Sequence, residues 1–245
     1  MRSNPDFSIQ GYQIIGELGR NREGGRITWL ASNLETGQQV VLKQFCFAVA
    51  GSSWSGFNAY EREIQVLQKL EQKGVPRSLG AFSTNDGFCL VQQYINASSL
   101  ATTRSFEPQE IKQIAVSVLE ILVDLQNRIP PVIHRDIKPE NVLVDDEINV
   151  YLIDFGFARI GSQEVSGSSV FKGTPGFIPP EQLRKPTEAS DLYGLGATLI
   201  CLLTGTPSTA IVELTDEDEP YLIHFKHLLP RLSVDFLAWL EKMVQ

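Results

Sequence analysis

Three short stretches near the start of the chain, Tyr12–Leu18, Thr28–Ser32 and Gln39–Phe45, are rich in β-branched and apolar residues, the composition of strands. Glu35-Thr36-Gly37 supplies a turn between the second and the third. The spacing then changes. Tyr60, Ile64, Leu67 and Leu70 recur at helical intervals, which predicts one helix over about Ala59–Gln72. Two further strands are predicted at Leu79–Ser83 and Phe88–Tyr94, joined by a turn at Asn85-Asp86-Gly87. The first hundred residues therefore read as a five-stranded antiparallel sheet carrying one helix.

The remainder is mainly helical. Pro108 opens a helix with Ile111, Ile114, Ala115, Val118, Leu119 and Leu122 along one face. Asp191–Thr204 is apolar nearly all round, which predicts a buried helix ended by Gly205. Val234–Val244 is a shorter amphipathic helix with Ser233 as its cap. The acidic run Asp216-Glu217-Asp218-Glu219 reads as a solvated loop.

Composition narrows the function classes. A formal charge of -8 over 245 residues argues against a general nucleic-acid or anionic-membrane binder, since both reward basic patches. The longest apolar run, Leu195–Leu203, is too short to span a bilayer, and no signal-type segment opens the chain. Cys46, Cys89 and Cys201 are scattered, with neither metal-type pairing nor a disulfide framework, as expected of small hydrophobes in a reduced cytoplasm.

The chemistry lies in His134-Arg135-Asp136-Ile137-Lys138-Pro139-Glu140-Asn141, followed after an apolar run by Asp154-Phe155-Gly156. Asn141 and Asp154 are hard oxygen donors of the kind Mg²⁺ prefers, and no His/Cys cluster competes for a softer metal. Lys43 follows three apolar residues, Val40-Val41-Leu42, on a predicted strand. Together these segments resemble the catalytic loop, metal loop and nucleotide lysine of eukaryotic-type Ser/Thr protein kinases. The loop Asn21-Arg22-Glu23-Gly24-Gly25-Arg26 and the helix start Asp191-Leu192-Tyr193-Gly194-Leu195-Gly196 are similar to the bacterial, cyanobacterial-type branch. The resemblance runs from about Tyr12 to the last residue.

It implies an α+β, two-lobed fold, with residues 1–95 as the nucleotide-binding lobe and 96–245 as the catalytic lobe. The implied reaction uses ATP and Mg²⁺ to phosphorylate Ser or Thr of a protein substrate, leaving oligomeric state open. Asp136 corresponds to the family's catalytic aspartate, Lys138 to the lysine over the transferring phosphate, and Asn141 and Asp154 to its metal ligands. Lys43 would contact the inner phosphates and pair with Glu63, four residues before Leu67. Leu18, Gly19, Gly24, Gly25, Ile27, Val41, Gln93, Ile95 and Leu143 would line the nucleotide. The glycine-rich loop departs from the family pattern: only Gly19 is plainly in place, Gly24 or Gly25 would serve as the last glycine, and Arg20 and Arg22 would add charge to a stretched phosphate cover. Gly173-Thr174-Pro175 through Pro180-Glu181 resembles the end of the activation segment, where the Thr174 hydroxyl would bridge toward Asp136 and Lys138. Arg135 would hold a phosphate on Ser166, Ser168 or Ser169. Asp191 would accept backbone N–H bonds near His134 and Arg135.

In the resembled family Glu181 pairs with an arginine on a helix beyond Val234–Val244. The expectation is therefore a domain lacking its last helix, with an apolar face exposed where that helix would pack; either the natural protein continues or another group must serve Glu181. Two other readings stand beside the kinase: a pseudokinase acting as a nucleotide-binding or scaffold module, suggested by the irregular loop and Val41, and a small-molecule kinase of related fold, opposed by Thr174 and the Pro-Glu segment.

Overall fold

A computed structural model describes residues 4–21, 25–46, 70–84, 87–102, 104–160, 173–216 and 218–245. Glu63, Gly24, Arg22, Ser166, Ser168 and Ser169 lie outside the described residues, as does the predicted helix apart from Leu70–Gln72, which are not helical. The chain forms two compact units, one from Met1–Glu71 with Pro76–Asn96, the other from Gln72–Val75 with Ala97–Gln245.

The first unit is a five-stranded antiparallel sheet in the order β1-β2-β3-β5-β4, from β1 (Tyr12–Asn21), β2 (Arg26–Asn33), β3 (Gln39–Cys46), β4 (Ser78–Thr84) and β5 (Gly87–Gln93). Side chains alternate across a strand, and residues directly opposite one another share a face. Trp29, Ala31, Val40, Leu42, Cys89 and Val91 are buried on one face, with Phe7 from the preceding segment closing over them. Buried Gln44 belongs to this face too, its Oε1 accepting from Trp29 Nε1 at 2.9 Å. The register Thr28↔Lys43, Leu30↔Val41, Lys43↔Leu90 and Val41↔Gln92 puts those residues on the other face.

In the hairpin of β1 and β2 the pairing continues to Asn21↔Arg26, and residues 22–24 of the expected phosphate cover lie outside the described residues. A bulge between Glu17 and Gly19 places Glu17 and Arg20, three residues apart, on the same side. The Arg20 guanidinium makes two bonds to the Glu17 carboxylate, at 2.7 and 3.0 Å.

In the second unit, α1 (Pro108–Gln126) starts with Pro108 in its first turn and the Glu110 carboxylate accepting from the Glu107 amide at 2.8 Å. Its buried face is Ile111, Ile114, Ala115, Val118, Ile121, Leu122 and Leu125. The second helix, α2 (Glu188–Thr204), begins three residues before the predicted start because Thr187 and Ser190 form a reciprocal cap. It ends at Gly205 in the left-handed region, φ 70°. α3 (Val234–Met243) is capped by Ser233 and packs so closely on α2 that a Cβ at Gly196 would lie 2.7 Å from Val244. The short strand β6 (Ser98–Ser99) pairs with β8 (Val142–Val144), which with β7 (Val132–Ile133) and β9 (Val150–Leu152) carries the loops between α1 and α2. No single helix among the described residues is long and apolar enough to cross a membrane.

Candidate active site

The loop between β7 and β8 is built on buried polar groups, so each must find a partner. Asp191, on the first turn of α2, accepts the backbone N–H of His134 at 2.8 Å and of Arg135 at 2.7 Å. Burial pushes the Asp191 carboxyl above its ordinary value, against the opposing pull of His134, Arg135 and the two amides. The fully buried His134 ring packs edge-on to Phe155, with Nε2 3.0 Å from the Ile153 carbonyl and Nδ1 accepting from the Asp136 amide at 3.3 Å. With these anchors Arg135 is held at φ 70°, a conformation non-glycine residues rarely adopt.

Asp136 is thereby presented with both carboxylate oxygens engaged. Thr174 Oγ1 donates to Oδ1 at 2.9 Å, and Asn141 Nδ2 donates to Oδ2 at 2.8 Å and to the Asp136 carbonyl at 2.8 Å. Lys138 Nζ donates to Thr174 Oγ1 at 2.7 Å and lies 3.5 Å from Asp136 Oδ2. The Thr174 bridge expected from the sequence is thus present. Asn141 spends its amide N–H groups on Asp136, which leaves its oxygen for another partner. Asp154 begins the Asp-Phe-Gly turn at φ 68°, ψ 71°, with Phe155 completely buried behind it.

In the first unit Lys43 is buried to 6% exposure in the middle of the sheet, on the face with Val41 and Thr28. Ile27 does not belong there. It pairs with Gln44 and packs against the apolar cluster on the opposite face, so its placement beside Val41 is corrected: the residue on the Lys43 face is its neighbour Thr28. A one-residue difference in strand register exchanges faces. Arg20, paired with Ile27, is likewise on the side away from Lys43 and engaged by Glu17, so it adds no charge to a phosphate cover. Gly19 lies within β1 opposite Thr28, and Leu18, half-exposed, sits at the bulge. Gly25, at φ 62°, brings its backbone against β3: its carbonyl accepts from the Cys46 amide at 2.9 Å, and a Cβ would stand 2.8 Å from the Cys46 carbonyl oxygen. Gln93 ends β5, Ile95 follows it half-buried, and Leu143 is the half-buried centre of β8. Buried Gln92, on the Val41 face, was missed by sequence reasoning, although its place two residues after Leu90, with Val91 on the opposite face between them, could have revealed it.

Glu181 is half-buried and accepts from Ser190 Oγ at 2.9 Å, so a hydroxyl nine residues on, at the start of α2, serves it.

The protein kinase domain family matches residues 12–228. The chain belongs to that family. It is 35% identical over 212 residues to serine/threonine-protein kinase D of Synechocystis sp., covering 80% of this chain and 41% of that protein. Serine/threonine-protein kinase C of the same organism is 30% identical over 252 residues, covering 96% of this chain and 46% of that protein. The kinase domain thus spans less than half the length of these relatives, and both are Ser/Thr kinases, in agreement with the bacterial branch that the motifs resemble.

Proposed function

We propose that this kinase domain transfers the γ-phosphoryl group of ATP, carried with Mg²⁺, to a Ser or Thr hydroxyl of a protein substrate. The observation that carries the reading is the cluster of Asp136, Thr174, Lys138 and Asn141, which holds one carboxylate fixed beside a cation and an amide. Asp136 takes or orients the proton of the attacking hydroxyl, and Lys138 offsets charge on the transferring group. Asn141 and Asp154 would hold Mg²⁺, which neutralises phosphate charge when bound. The donor set fits: Asn141 commits its amide N–H groups to Asp136 and keeps its oxygen, which with the Asp154 carboxylate offers the hard oxygen ligands Mg²⁺ takes beside phosphate oxygens.

The proposed nucleotide contacts are Lys43, paired with Glu63, together with Leu18, Gly19, Gly24, Gly25, Thr28, Val41, Gln93, Ile95 and Leu143. Residues 1–95 act as the nucleotide-binding lobe and 96–245 as the catalytic lobe. A phosphate on Ser166, Ser168 or Ser169 held by Arg135 is the proposed switch. A cytoplasmic setting, where ATP is available, belongs to the same reading. Among the described residues of the site nothing favours the pseudokinase or small-molecule readings.

Transfer of label from γ-labelled ATP to a generic protein, with and without a Mg²⁺ chelator and beside Asp136→Asn, tests the reading. Mg²⁺-dependent labelling on Ser or Thr, lost in the variant, is expected. Absence of transfer in the native protein overturns it.

A further inference from the structure

Gln182 follows Glu181 in a short turn and is 3% exposed. Its Nε2 donates to the Arg135 carbonyl at 2.8 Å. That carbonyl belongs to the same peptide unit as the Asp136 N–H, which donates to His134 Nδ1 at 3.3 Å. The peptide that delivers Asp136 is therefore gripped at its oxygen by Gln182 and at its hydrogen by His134. Rotation of this plane would swing the Asp136 side chain, and the strained φ of 70° at Arg135 gives the plane reason to rotate if either grip is lost.

The same amide also lies against the segment that leads into Thr174. A Cβ built on Gly173 would lie 2.9 Å from Gln182 Nε2 and 2.8 Å from Ile178 Cγ1, so only glycine lets the backbone before Thr174 rest against this side chain. Thr174 in turn donates to Asp136 Oδ1. Gln182 is itself seated, because its neighbour Glu181 accepts from Ser190 on α2, one residue before the Asp191 that holds the loop's other amides.

We infer that Gln182 is a positioning residue for Asp136, tying the end of the activation segment to the catalytic loop; the inference rests on the kinase reading above. It acts through the Arg135 carbonyl and touches no reacting atom. Its amide nitrogen is the working part, since a carbonyl can only accept. Displacement of the Gly173–Thr174 segment would be transmitted to Asp136 through two routes at once, the Thr174 hydroxyl and the Gln182 amide.

The test compares Gln182→Met, which keeps length and loses the donor, with Gln182→Glu, which donates only when its carboxyl is protonated. Turnover of Gln182→Met is expected to fall roughly 10-fold, with KM for ATP and protein substrate within about twofold, because misplacement of a catalytic group lowers kcat. The activity of Gln182→Glu relative to the native protein should rise as pH is lowered, a dependence a merely structural role would not produce. Amide hydrogen exchange at Asp136 should be faster in Gln182→Met while exchange in α2 is unchanged. Native turnover in Gln182→Met, or a loss carried by KM, overturns the inference. If the native protein transfers no phosphate, the kinase reading fails on its own account, and exchange at Asp136 then decides the grip: an unchanged rate overturns it.

Discussion

Thr174 Oγ1 donates to Asp136 Oδ1 at 2.9 Å across 38 residues of sequence, and the same hydroxyl accepts from Lys138 Nζ at 2.7 Å. One hydroxyl therefore separates a carboxylate from an ammonium group that stand 3.5 Å apart, orienting both. Thr174→Val keeps the shape and removes the bridge. Its turnover should fall roughly 10- to 100-fold, the cost of a misplaced catalytic group, whereas Thr174→Ser should stay within a few-fold. Steady-state kinetics on both variants checks this, and equal losses would assign Thr174 to packing.

Asp136 and Asp154 should fail in different ways. Removing a general base costs ~10² to 10⁴ in rate without touching ground-state affinity, so Asp136→Asn should bind Mg²⁺-nucleotide within a few-fold of the native protein. Asp154→Ala should instead weaken Mg²⁺-nucleotide binding itself. Titration calorimetry of each variant separates the roles, and unchanged affinity in Asp154→Ala would remove it from the metal site.

The assignment of sheet faces gives a third expectation. Ile27→Ala opens space in the apolar cluster that holds Trp29 and Leu42, and for a half-buried side chain should cost about 1–2 kcal/mol, below the range for full burial. Nucleotide KM should not change. Thr28→Phe, on the Lys43 face, should raise nucleotide KM at least several-fold with a smaller loss of stability. Denaturant unfolding and nucleotide titration of the pair decide it; the opposite pattern would return Ile27 to the nucleotide face.

That correction marks where the sequence stops being legible. His134–Asn141 could be read because its groups are consecutive in a pattern that resembles the family's catalytic loop, and the role of Asp191 was implied by the same resemblance at the start of an apolar helix. The five strands were visible as well, since their cores are runs of β-branched and apolar residues. Ile27 was misplaced because face depends on counting through a hairpin whose length the letters do not fix, and a slip of one residue inverts the result. The bulge before Gly19 adds to the difficulty: it sets Arg20 beside Glu17 although strict alternation would part them. Ser190 and Gln182 carried no signal, because a serine or glutamine has many uses and only the folded chain brings each to Glu181 or to the Arg135 carbonyl.

The last expectation concerns Asp191. Burial raises its folded pKa above 3.8, so between that value and the raised one the folded chain holds a proton that the unfolded chain has released. This group's contribution to stability is therefore complete below pH 3.8 and is lost as pH rises through the folded pKa. Asp191→Asn removes the titration and, with a single acceptor oxygen, leaves one of the two amides at His134 and Arg135 without its partner, a loss of about 1–3 kcal/mol. The native protein should be the more stable of the two, by a margin widest near pH 4 and narrowing toward neutrality, where other carboxylates cancel in the difference. Urea unfolding of both proteins at pH 4, 5, 6 and 7 measures that margin. A margin that widens with pH would show that the amide bonds outweigh burial and hold the folded pKa below its ordinary value.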